Sequence, residues 1–122
     1  MCKTMFEADA VMQKLVDTIN GRIKGGSGFI PFTPAELGLV KELAEWAEGT
    51  RFYVRFQNDK AKSEIFNEQL KRMTAADLMM LAMMKYEKTK REGTGMAGVA
   101  LIMPELWRKL EGEKNGRQKR NA

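Results

Sequence analysis

Across residues 75–84 (AADLMMLAMM) only Asp77 is polar. A helix on the surface of a small domain shows one apolar stripe and one polar face. Extended to residues 74–91 (TAADLMMLAMMKYEKTKR), the stretch reads as a single helix that is apolar almost all round at its start. Such a helix has to be covered on several sides, by the rest of the chain or by another molecule. A chain of 122 residues makes one domain and buries roughly two-thirds of the surface its unfolded form exposes. The expectation is therefore a mainly α, single-domain bundle of about five helices around a buried central helix at 74–91. Residues 1–112 form the domain and 113–122 a basic, disordered tail.

The other elements follow from periodicity and punctuation. Phe6, Ala10, Leu15, Val16 and Ile19 fall on one helical face, predicting a helix over 4–20 with Gly21 as its stop, or prolonged a little by Ile23. Gly25-Gly26-Ser27-Gly28 makes a loop, and Phe29-Ile30-Pro31-Phe32 an extended segment that plugs into the core. Thr33-Pro34-Ala35-Glu36 is the clearest helix start in the chain: Thr at the N-cap, Pro at the first position, Glu at the third. Leu37, Val40, Leu43, Ala44 and Ala47 continue that helix to Gly49, with Glu36, Glu42, Glu45 and Glu48 on its outer, negative face.

Residues 50–57 (TRFYVRFQ) alternate in polarity and are rich in aromatic residues, which predicts a strand. Its partners in a minor two- or three-stranded sheet are residues 29–32 and 98–103. The alternative is the front of a helix running on to Met73. Asn58 or Asp59 caps a helix to Met73, and Thr74 with Asp77 restarts the chain. Residues 94–103 (TGMAGVALIM) are apolar and buried in any structure, and Pro104 opens a short last helix that Gly112 stops.

Several function classes are excluded or weakened by what is missing. There is no histidine and one cysteine, Cys2. Zinc sites draw on several Cys or His ligands, and Ser–His or Cys–His nucleophiles need an imidazole. Glu36, Glu42, Glu45, Asp59 and Glu64 remain as carboxylates, but without a matching pair or base they read as solvated helix faces. No enzyme activity, no metal and no cofactor are expected. The longest apolar runs, 78–84 and 96–103, are far shorter than the ~18–20 residues that cross a bilayer. The acidic N-terminal stretch lacks the apolar segment of a signal peptide, so the expectation is a cytoplasmic protein without a membrane partner.

Gly93, Gly95 and Gly98 spell GxGxxG, but they follow a helix rather than a strand, and a turn is the favoured reading. The GGSG loop has the spacing of a backbone-clamping GxxG loop; Pro31 stops a second helix from following it directly, so a plain linker is favoured. Arg22 and Lys24 beside its N–H groups could still hold a phosphate. A helix-turn-helix at 58–91 is rejected, because the N-terminal end of the second helix is apolar and cannot read base edges.

Charge points to a nucleic-acid partner. The net charge is +5, and the last nine residues alone hold four basic and no acidic residues, leaving the rest nearly neutral. On a strand, Arg51, Tyr53 and Arg55 would share one face as a stacking and phosphate-contact surface; the plainer reading is an edge strand with solvated arginines. The sequence thus predicts a small binding protein that contacts RNA or single-stranded DNA backbone without strong sequence readout, on its own or as a subunit of a larger nucleoprotein complex. The contacting residues are Arg51, Tyr53, Arg55, Lys88, Lys90, Arg91, Lys114, Arg117, Lys119 and Arg120. The rival is a phage-accessory-like adaptor or inhibitor that binds a target protein, or a copy of itself, through the methionines Met79, Met80, Met83 and Met84.

Overall fold

The computed structural model describes residues 4–90 and 95–121, with side chains at 4–90 and 96–112. Six helices span most of them: α1 (Met5–Lys24), α2 (Pro34–Glu48), α3 (Arg51–Asn58), α4 (Lys60–Arg72), α5 (Ala75–Lys90) and α6 (Gly95–Asn121). Among the described residues there is no strand, so the minor sheet is not present.

Threonine recurs at the helix starts. Thr4, Thr33 and Thr50 each accept a hydrogen bond from the backbone N–H three residues on, which satisfies a donor the helix itself leaves unpaired. Thr74 does the same for Asp77 at 3.1 Å, just ahead of α5. At Thr33 the capping box is complete, since Glu36 also accepts from the Thr33 N–H at 3.0 Å.

Thr50 explains why 51–57 is a helix and not a strand. Its hydroxyl donates to the Ala47 carbonyl at 2.7 Å and accepts from the Tyr53 N–H at 3.3 Å. One side chain therefore closes α2 and opens α3. Once helical, Tyr53, Phe56 and Gln57 share the inward side, and Phe56 meets Phe66 of α4 edge-to-face at 5.1 Å. Six alternating residues are too few to separate period two from the i, i+3, i+4 pattern these three positions also satisfy.

The element at the centre is α6 rather than α5. It packs against each of the other five helices. Met96, Val99, Ala100, Ile102, Met103, Leu106 and Leu110 are all buried along it. Each large apolar side chain among them contributes roughly 1.5–3 kcal/mol by leaving water. Pro104 lies inside this helix instead of opening it. An interior proline removes a backbone donor and costs about 3 kcal/mol, a penalty that the buried residues on either side offset. The helix bounds also take in Gly112, where the composition predicts a stop. Gly98 lets α5 come close: a Cβ there would meet Lys85 Cβ at 3.2 Å.

Helix α5 is covered on one side. Ala75, Leu78, Met79, Ala82 and Tyr86 are buried, whereas Met80 and Met84 are 46% and 63% exposed. Counting apolar residues could not separate the two helices. The small residues of α6 admit neighbours on every side, while Met80 and Met84 of α5 stay in contact with water.

The loop between α1 and α2 is held by a buried ion pair. Glu36, expected on the outer negative face of α2, is fully buried. Arg22 Nε and Nη2 donate to its two carboxylate oxygens at 2.9 and 2.8 Å. The same guanidinium donates to the carbonyls of Gly28 and Phe29, fixing the end of the GGSG loop. Gly26 takes φ +97°, a conformation that glycine reaches at little cost. The Ile30–Pro31 peptide is cis, and Phe32 plugs into the core while Ile30 stays exposed.

Candidate nucleic-acid interface

The turn between α2 and α3 places the two arginines that the sequence singles out. On a helix, Arg51 and Arg55 stand one turn apart, so they share a face with Val54 and Asn58. All four are exposed. They line an open cleft of about 410 Å³ together with Gly49 and Thr50. Neither arginine is ion-paired among the described residues. Arg51 also lines a second, adjoining depression with Met5, Glu45, Trp46 and Phe52.

The helix splits the expected platform. Tyr53 lies two positions from each arginine, which on a helix turns it away from them. Its phenol oxygen accepts from Arg108 Nη2 at 3.1 Å, tying α3 to α6, and the ring is half-buried. The aromatic residues beside the arginines are instead Phe52, which is 39% exposed, and Trp46 at the floor of the depression. On a strand Phe52 would lie on the face opposite the arginines; the helix is what brings it beside Arg51.

The second basic group stands on α5, apart from the α2–α3 turn. Lys88 is exposed. The Lys90 ammonium lies 5.2 Å from the Tyr86 ring centroid and donates to Gln13 Oε1, so it is already engaged with the protein. Tyr86 is fully buried and donates to Asp9 Oδ1 at 3.0 Å. Burial, the Asp9 hydrogen bond and the nearby charges of Asp9, Glu87 and Asp17 push the phenol above its ordinary value of 10.0. Cys2 and Arg91 lie outside the described residues, as do the side chains of Lys114, Arg117, Lys119 and Arg120.

The other proposed phosphate site is closed. Arg22, which beside the GGSG loop could have held a phosphate, is engaged by Glu36 and two carbonyls, in keeping with the plain-linker reading. Burial raises the Glu36 pKa, but hydrogen bonds from Arg22 and the Thr33 N–H, with the Arg22 charge, outweigh it and hold the carboxyl below its ordinary 4.5. The four methionines also divide. Met79 is in the core and Met83 is half-buried against it, so only Met80 and Met84 offer themselves to a partner.

Among the described residues no three Asp, Glu or Cys side chains gather into a metal-binding group. No described helix is long and apolar enough to cross a membrane. Compared with known protein families, curated proteins and solved structures, the chain matches none, so its function has to be argued from this surface alone.

Proposed function

We propose that the protein is a small, non-enzymatic, cytoplasmic binding protein that contacts the backbone of RNA or single-stranded DNA, as a subunit of a larger nucleoprotein complex. The observation that carries this reading is the pair Arg51 and Arg55, one turn apart on an exposed face, bordering a cleft and without an ion pair among the described residues. A guanidinium suits phosphate because its N–H groups match two oxygens at once. The basic residues Lys114, Arg117, Lys119 and Arg120 add charge without adding sequence readout.

Affinity of this kind comes from counterion release and falls with salt, with a slope of about −0.7 per phosphate neutralised on a single strand. The test is binding of labelled single-stranded RNA, single-stranded DNA and duplex DNA across a salt series. Binding with a steep slope is expected, and the slope of the Arg51→Ala/Arg55→Ala protein should be shallower by roughly 0.7 for one phosphate shared by the pair, or roughly 1.4 for one phosphate each. Deleting residues 114–122 should weaken binding further. No binding at low salt overturns the reading.

A second reading rests on α5. Met80 and Met84 are one turn apart on its exposed side, and methionine packs adaptably on partner surfaces. It assigns the protein to protein–protein docking, and it predicts that Met80→Ser/Met84→Ser abolishes function while loss of 114–122 does not.

A further inference from the structure

We infer that the α2–α3 turn is a nucleotide-sized site for a single strand, with the phosphate between Arg51 and Arg55 and the base in the depression of Phe52 and Trp46. The inference rests on the backbone-contact reading and adds to it a base contact, and so a preference for unpaired strands. Its basis is the sharing of Arg51 between two adjoining hollows of different chemistry. On one side lie Arg55, Val54 and Asn58; on the other lie Met5, Trp46 and Phe52. The first adds a second arginine to Arg51; the second adds two aromatic rings, with Glu45 among its lining residues.

A single strand repeats that pairing of chemistries in every nucleotide: an anion joined to an uncharged, flat π-system. Base stacking on an aromatic side chain is tolerant of sequence, because every base has a π-face. Phe52 can serve because it is partly exposed in the free protein, where a core phenylalanine would not be. Glu45 lines the aromatic hollow and would repel a phosphate there, so the ligand is oriented with its charge toward Arg55. A duplex keeps its bases stacked inside and offers this hollow nothing to stack upon it. An acidic peptide could satisfy the arginines but would leave Phe52 without a flat partner.

The experiment compares a ten-nucleotide oligothymidylate with an abasic strand of equal phosphate number, using the full chain. Wild-type protein should bind oligothymidylate roughly tenfold or more tightly than the abasic strand. Phe52→Ala should erase that difference, and Phe52→Tyr should restore it. Arg51→Ala/Arg55→Ala should weaken both ligands alike. Thermal melts of each variant show whether the fold is kept, and the abasic comparison on the wild-type protein needs no variant. Equal affinity for the two strands overturns the inference and leaves the backbone reading standing. Binding of neither overturns both. Poly-glutamate bound as tightly as oligothymidylate also overturns the inference, in favour of an acidic protein partner.

Discussion

Arg22 and Arg51 illustrate two fates for one residue type. Arg22, in the last turn of α1, is 16% exposed and donates to a fully buried carboxylate and two carbonyls. Arg51, in the first turn of α3, is exposed and has no ion pair among the described residues. Both stood beside features that suggested phosphate, a glycine-rich loop in one case and aromatic residues in the other. The difference lies in what faces each across the tertiary structure. Glu36 comes from another helix to meet Arg22, whereas Arg51 looks onto an open cleft. The first arginine holds the fold together, and the second is left for a ligand.

That contrast is broken most directly by removing the buried cation. Arg22→Ala leaves Glu36 charged, buried and without its main partner, which costs about 3 kcal/mol. Urea unfolding should show this loss and a drop in Tm of roughly 10 °C. An unchanged midpoint would mean that the clamp is no more structural than the cleft.

Titration sharpens the comparison. The folded-state pKa of Glu36 is lowered, so its contribution is fully present above the ordinary value of 4.5 and is lost as pH falls through the lowered one. Thermal melts should therefore show an acid limb that flattens in Glu36→Gln. Tyr86 behaves with the opposite sign. Its folded-state pKa is raised, so its contribution is present below pH 10.0 and is lost as pH rises beyond it. Tyr86→Phe should remove that alkaline limb.

A smaller effect is expected at Lys109. Its ammonium donates to the carbonyls of Lys71 and Met73, where α4 ends, placing a cation at the negative end of a helix. Lys109→Ala should cost about 1 kcal/mol in the same unfolding assay. The smallest stability change is expected at the cleft. Arg51→Ala and Arg55→Ala should stay within about 0.5 kcal/mol of the parent, because neither makes an ion pair among the described residues. A loss above 2 kcal/mol would place Arg51 with Arg22 and end its claim to a ligand.

How much of this was legible beforehand varies by element. The start of α2 was explicit, because T-P-A-E states the cap, the proline and the returning carboxylate in four consecutive residues. The same threonine signal stood at Thr50, unread beside a short alternating run that looked like a strand. Arg51 and Arg55 fall on one face in either structure, since residues four apart stand one turn apart on a helix and on the same side of a strand. Tyr53 does not, because only the strand puts it between them. Glu36 passed for a surface charge, since nothing in the α2 pattern announces an arginine fourteen residues upstream.

The chain on its own carried the helical class, the caps at Thr33, Asp59 and Thr74 and the separation of basic from acidic stretches. Those depend on interactions between residues a few positions apart, and a linear reading can find them. Which helix sits at the centre, which arginine is neutralised and which aromatic residue lies open to a ligand depended on contacts across the fold. Such contacts join residues whose separation along the chain carries no periodic signal. Burial, charge pairing and the space left between helices arise only when the whole bundle closes.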